Sequence, residues 1–152
     1  KKLVQDTGYP GMRIIEFAFD GREPKKGGVA TNMYLPFNMD KNCVVYTGTH
    51  DNDTLCGWIE TVDKKSLDEA RRYLDVGKIP KKELAKKLIR MAHSSPADTC
   101  IIPIQDWLCL GDEARINIPS TIGCNWRWRM EKGALTTSLS NEILKMTLLY
   151  GR

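Results

Sequence analysis

Between Tyr46 and Thr54 the chain reads YTGTHDNDT. His50, Asp51, Asn52 and Asp53 crowd an imidazole, two carboxylates and an amide into four consecutive positions. A fixed carboxylate can stabilise positive charge that develops during a reaction. An imidazole can donate from one ring nitrogen while a neighbour fixes the other. The same residue types also suit a loop whose Asx side chains cap the helix that follows. A metal site built on His50, Asp51 and Asp53 is a third option. It is weakly supported, because the cluster holds one imidazole and no second ligand group lies nearby in sequence.

The other stretch with chemical content is NWRWRM, Asn125 to Met130. Alternating Trp and Arg can stack on and neutralise a nucleic acid, but the net charge of +4 gives no strong basic surplus. Period-two spacing instead predicts Trp126 and Trp128 on one face, with Arg127 and Arg129 on the other and free to pair with carboxylates. His93, at the end of a helical pattern, is expected at the surface or in a cap. The five cysteines are dispersed, odd in number and form no CxxC. That spacing favours reduced thiols in a cytoplasmic protein over a disulfide frame or a zinc site.

Buried elements must position these groups. The apolar run MRIIEFAF, Met12 to Phe19, predicts a first strand, and CVVYTG, Cys43 to Gly48, a second that leads into HDND. CIIPI, Cys100 to Ile104, predicts a third, again tipped by polar residues, Gln105 and Asp106. GREPKKGG reads as a loop. LCGWIETV starts a helix, with Asp53 and Thr54 as its caps. In SLDEARRYLDVG, Ser66 and Glu69 have capping-box spacing, Leu67, Ala70, Tyr73 and Leu74 share a face, and Gly77 is the expected stop. PKKELAKKLIRMAHSS has Pro80 in its first turn and Leu84, Leu88 and Met91 on one face. Glu83 precedes Lys86 and Lys87 by three and four residues, so this basic run reads as a solvated, self-paired face. A last amphipathic helix runs from Thr136 or Thr137 to Gly151. Buried strands separated by helices predict an α/β fold with a parallel sheet, in which chemistry gathers at the carboxyl ends of the strands.

Taken together, PGMRIIEFAF, YLPFN, VVYTGTHDNDT, PIQDWLCLGDEARINIPSTIGCNWRWRM and the closing LYGR resemble the C-terminal part of the amylomaltases. These are 4-alpha-glucanotransferases, or disproportionating enzymes, of the alpha-amylase-like superfamily. The resemblance covers essentially the whole chain. It implies that residues 1–152 are one part of a (β/α)8 TIM barrel, contributing strands six, seven and eight and the following helices, with no separate second domain. It also implies retaining transfer of alpha-1,4-glucan segments between malto-oligosaccharides, as in starch, glycogen or maltose metabolism, without a cofactor. On this resemblance Asp51 matches the carboxylate that stabilises the transition state, and His50 the histidine that holds a sugar hydroxyl. Asn52, Asn125 and Trp126 are candidate substrate contacts. The nucleophile and the acid/base lie upstream of Lys1, so the fragment alone is expected to be inactive. Cleaving a glycosidic bond builds charge on the anomeric carbon and ring oxygen, which is the task a fixed Asp51 would suit. Two positions depart from the family pattern. Phe37 stands where a His is common, and Cys124 where a Gly usually precedes Asn-Trp.

The first residue is Lys, and the start reads as that of a processed or truncated piece. The length of 152 residues suits one domain. No apolar run approaches the ~20 residues of a membrane span, and no signal peptide is visible. The expected partner is a malto-oligosaccharide or alpha-glucan, with no nucleic acid and no membrane, and the truncated chain is expected to self-associate. The competing reading is a non-catalytic fragment that binds glucan or protein.

Overall fold

The structure, a computed structural model, describes residues 2–20 and 31–152. The GREPKKGG loop lies outside the described residues. A three-stranded sheet runs β1 (Gly11–Ile14), β2 (Cys43–Tyr46) and β3 (Thr99–Ile101), in that spatial order. All pairing is parallel: Met12 sits opposite Val44, Val44 opposite Thr99, and Tyr46 opposite both Ile14 and Ile101. Among the described residues are six α-helices, α1 (Lys2–Thr7), α2 (Leu55–Thr61), α3 (Lys64–Tyr73), α4 (Lys81–His93), α5 (Ile104–Trp107) and α6 (Thr137–Leu149), with short 3-10 turns between elements.

One face of the sheet is covered. Cys43 and Val45 are buried on that side, and with them Leu55, Leu84, Leu88 and Ile89 of α2 and α4. Ala85 and Ala92 are also fully buried on α4. The opposite face carries Met12, Val44, Tyr46 and Ile101, and there Met12 is 55% and Ile101 44% exposed. A parallel sheet with apolar residues on both faces is built to be covered on both.

Several sequence expectations hold. Leu84, Leu88 and Met91 are buried on α4. Thr54 caps α2 by accepting from the Gly57 N–H at 3.1 Å, and Thr136 caps α6 by accepting from Leu139 N–H at 3.1 Å. Gly151, with φ of 67°, follows the end of α6.

Others are corrected. The first strand stops at Ile14, and Ile15–Ala18 is a 3-10 turn. A continuous strand would have put Ile15 and Glu16 on opposite faces. The turn instead buries Ile15, Glu16 and Ala18 together, and the Glu16 N–H bonds the Thr47 carbonyl at 3.3 Å. The third strand stops at Ile101, and Ile104 opens α5 directly after Pro103, which cannot donate to a ladder. The cap of α3 is Asp63, not Ser66. Its two carboxylate oxygens take the Ser66 N–H at 3.0 Å and the Ser66 hydroxyl at 2.6 Å. The helix begins at Lys64, so Ser66 already lies inside it, and the Asp63 carboxylate takes both donors at the cap. Asp75, with φ of 52°, supplies the left-handed residue after α3, ahead of Gly77.

His93 is not a surface histidine. It is buried beside Trp107, with ring centroids 5.7 Å apart, and neither ring nitrogen has a hydrogen-bond partner. Burial, and then the charge of Arg152, push its pKa down. The Arg152 guanidinium reaches the backbone here, donating to the carbonyls of His93 and Ser95 at 2.8 Å each.

Candidate active site

The carboxyl end of β2 builds the site. Thr47 is fully buried and donates its hydroxyl to the Asp106 carboxylate at 2.5 Å. Gly48 follows where no larger residue fits comfortably: a Cβ there would meet Glu16 Oε1 at 3.0 Å and the Asp53 carbonyl at 3.3 Å. The chain then turns over Thr49–Asn52. Asn52 Oδ1 accepts from the Thr49 N–H at 3.0 Å and from its hydroxyl at 2.7 Å, and the Thr49 carbonyl accepts from Asn52 N–H at 3.1 Å. This closed turn leaves His50 and Asp51 at the tip, each with about half of its side chain exposed (52% and 49%).

Asp51 is held from two directions. Asn117 Nδ2 donates to Oδ1 at 2.6 Å, and His50 Nε2 lies 3.3 Å from the same oxygen. Among the described residues nothing donates to Oδ2. Arg115 fixes the backbone beneath, with Nη2 on the Asp51 carbonyl at 2.8 Å and Nε on the Asn117 carbonyl at 3.0 Å. Asn117 N–H closes the lattice on the His50 carbonyl at 3.1 Å. Trp126 tilts over His50, with ring centroids 5.0 Å apart, and is itself 58% exposed. An open cleft of about 530 Å³ runs past Asp51, Asn52, Asp53, Glu16, Trp58 and Arg115. An exposed aromatic ring beside polar groups and one unsatisfied carboxylate oxygen can hold a polyhydroxylated ligand and stabilise a cation in it.

Three more carboxyl groups belong to this region, Glu16 and Asp53 in the cleft lining and Asp106 buried. Burial, then the charges of Asp106 and Asp53, raise the pKa of Glu16 well above its usual range, and its Oε1 has no hydrogen-bond partner. Burial raises Asp53 too, against the pull of the Thr54 N–H it accepts at 2.7 Å. Burial pushes Asp106 up to about 6, opposed by its bonds from Thr47 and from the Leu55 N–H at 2.8 Å. Burial thus disfavours the charged form of all three. Asp53 also lies where a side chain on Gly57 would be, with its Oδ1 2.2 Å from the position a Cβ would take.

Of the sequence candidates, His50, Asp51 and Trp126 come together. Asn52 lines the cleft, but its side-chain oxygen serves the turn. Asn125 is turned into its own loop: Oδ1 accepts from Ile118 N–H at 2.9 Å, and Nδ2 donates to the carbonyl and hydroxyl of Thr121 at 3.1 and 3.0 Å. The two-sided NWRWRM strand does not form. Trp126 has φ of 64°, which breaks the extended run, and Arg129 folds back onto the carbonyls of Trp126 and Trp128 at 3.1 and 2.8 Å. Sequence reasoning missed Asn117, Arg115 and Glu16. For Glu16 a signal existed, a lone carboxylate inside an apolar run. Asn117 and Arg115 stand in a stretch without periodicity, and nothing local ties them to Asp51. Among the described residues no group of three or more His, Cys, Asp or Glu is placed to hold a metal.

Comparison with known proteins gives a consistent set of likenesses. The family model described as 4-alpha-glucanotransferase matches residues 1–136. A 4-alpha-glucanotransferase of Clostridium butyricum is 47% identical over 147 residues, covering 96% of this chain and 28% of that protein. The chloroplastic/amyloplastic 4-alpha-glucanotransferase DPE1 of Arabidopsis thaliana is 40% identical over 154 residues, covering 99% of this chain and 25% of that protein. The amylomaltase of Streptococcus agalactiae in complex with acarbose superposes with a TM-score of 0.87 at 32% identity, over 99% of this chain and 29% of that one. The chain thus spans between a quarter and a third of the length of these relatives.

Proposed function

Since the chain belongs to the 4-alpha-glucanotransferase family, we propose that it forms part of an enzyme that moves alpha-1,4-glucan segments between malto-oligosaccharides with retention of configuration. The observation that carries this reading is the Asp51 carboxylate at the end of β2. One oxygen is held by Asn117 and His50, the other takes no hydrogen bond among the described residues, and the residue lines the cleft. As the glycosidic bond breaks, the sugar ring flattens and turns cationic. A carboxylate already held in place stabilises that charge without reorganising. With Nε2 set against Asp51, His50 serves a sugar hydroxyl through its other ring nitrogen, Trp126 offers an apolar face to a ring, and Asn52 and Asn125 keep their loops in shape around the subsite. The acarbose-bound relative supports an oligosaccharide as the ligand class.

On this reading β1, β2 and β3 are strands six, seven and eight of a (β/α)8 barrel, and residues 1–152 are one part of a single catalytic domain. The nucleophile and the acid/base belong to other parts of that barrel. Glu16, Asp53 and Asp106 are poor substitutes, because Glu16 and Asp106 are buried, Asp106 is committed to Thr47 and the Leu55 N–H, and Asp53 accepts from the Thr54 N–H. The 152 residues alone therefore transfer no glucan. Five thiols without a disulfide support a reducing, cytoplasmic setting, although some plant relatives are named chloroplastic/amyloplastic.

The test is Asp51→Asn in the complete protein, assayed by maltotriose disproportionation. Turnover falls by about 10²–10³-fold or more, while ground-state glucan binding, read by equilibrium titration, changes little. Near-normal turnover overturns the role. Retained glucan binding by a complete protein that shows no transfer with any alpha-1,4-glucan would favour the non-catalytic binding reading.

A further inference from the structure

Residues 115–118 tie together both halves of the candidate subsite. On one side, Arg115 Nη2 donates to the Asp51 carbonyl at 2.8 Å, and the Asn117 N–H donates to the His50 carbonyl at 3.1 Å. On the other, the Ile116 carbonyl accepts from the Trp126 N–H at 2.7 Å, and the Ile118 N–H donates to Asn125 Oδ1 at 2.9 Å. None of these bonds uses the Asn117 side chain, so the two loops keep their register without it. That side chain goes to Asp51 instead, where its Nδ2 donates to Oδ1 at 2.6 Å. Asn117 is itself anchored, because its carbonyl accepts from Arg115 Nε at 3.0 Å. Support therefore runs from Arg115 to Asn117 to the Asp51 carboxylate.

We propose that Asn117 is the positioning residue for Asp51: its side-chain amide fixes which carboxylate oxygen is engaged, and so how the other is presented to the reacting sugar. The inference rests on the reading of Asp51 as the carboxylate that stabilises the transition state. Such a group works best when it does not reorganise as the bond breaks. The Asp51 side chain is half-exposed at the tip of a turn, and main-chain anchors alone leave its side-chain torsions free among their staggered positions. A hydrogen bond to a carboxylate is charge-assisted and roughly twice as strong as a neutral one, which is enough to select one of those positions. The amide does not titrate, so it donates at every working pH. His50 Nε2, 3.3 Å from the same oxygen, donates only while that nitrogen carries a proton. Asn117 acts through Asp51 and not on the glucan, so its loss falls on the charged transition state and spares binding of unreacted substrate.

The experiment is a double-mutant cycle in the complete protein, with kcat and KM from maltotriose disproportionation and maltotriose binding from equilibrium titration. Asn117→Ala is expected to lower kcat about 10- to 100-fold, with KM and binding within about twofold of wild type. Asn117→Asp keeps the size of the side chain but sets a second carboxylate against Oδ1, and at neutral pH kcat should fall at least as far. In the Asp51→Asn background the charge is already gone, so Asn117→Ala should cost about twofold or less there. A side chain that only supported the fold would cost the same in both backgrounds. Near-normal kcat in Asn117→Ala, a loss carried by KM alone, full activity in Asn117→Asp, or additive losses would each overturn the proposal. If Asn117→Ala does not fold, the isosteric Asn117→Asp decides the matter. Near-normal turnover in Asp51→Asn overturns the reading of Asp51 and the positioning role with it. A collapse in Asp51→Asn beside near-normal Asn117→Ala removes the positioning role alone.

Discussion

The two oxygens of Asp51 are not equivalent, and that asymmetry sets what its neighbours can do. Oδ1 takes Asn117 and His50, while Oδ2 is open among the described residues. His50 is thereby oriented by the carboxylate and by the Trp126 ring beside it. A group that only positions a hydroxyl should matter less than the charge that meets the cation. His50→Ala in the complete protein is expected to cost about 1–3 kcal/mol in transition-state stabilisation, comparable to one or two good hydrogen bonds, and less than Asp51→Asn. Comparing kcat/KM for the two variants checks this. A loss at His50 as large as at Asp51, or activity that follows added divalent metal, would instead point to proton transfer or ligation. At this scale HDND was readable because four polar groups at a strand end have few purely structural uses. Asn117 was not, because it reaches Asp51 across 66 residues of sequence, and no periodicity encodes such a contact.

At the scale of elements, one carboxylate joins three of them. Asp106 of α5 takes the Thr47 hydroxyl just beyond β2 and the first N–H of α2. The sequence placed Gln105 and Asp106 at a strand tip, but the strand had already ended at Ile101, so Asp106 points inward as a clasp and not outward into the cleft. Strand ends are hard to read where Pro and a tertiary contact decide them, whereas α4 and α6 were readable from apolar spacing and caps. The clasp has a pH signature. The pKa of Asp106 rises from an ordinary 3.8 to about 6 on folding, chiefly through burial. Between those values the folded state binds more protons than the unfolded state, so this group makes stability fall as pH rises from about 4 to about 6. His93 works the other way, since its lowered pKa makes stability fall as pH drops below its ordinary 6.5. Chemical denaturation of wild type and Asp106→Asn across pH 4 to 7 separates the two. Wild type should lose stability relative to the variant as pH climbs through that window, and parallel curves would show that Asp106 titrates alike in both states.

For the whole molecule, the sheet poses the larger question. Its middle strand is paired on both sides, but β1 and β3 are both edges among the described residues, and one sheet face is uncovered at Met12 and Ile101. On α6, Leu144, Leu148 and Leu149 are more than half exposed as well. Edge strands with free backbone groups are templates for further pairing. Apolar side chains exposed on a parallel sheet's face suit a surface that something covers. In a closed barrel neither edge would exist, and inward side chains would pack in layers against those of the other strands. The α/β alternation and the parallel sheet were legible in the sequence, because buried β-branched runs between helical patterns admit few other folds. The open face was not, since a pattern that buries both faces looks the same whether or not the second cover is present. We expect the 152-residue chain, purified alone, to self-associate through these edges or to remain loosely packed, and sedimentation velocity over a range of concentrations reads this directly. Met12→Lys and Ile101→Lys, which place like charges on the open face at the two edges, should shift the population toward monomer if association runs through that face. A wild-type chain that sediments as a compact monomer at high concentration, with sharp cooperative unfolding, would refute the expectation and show that the covered face alone holds the fold.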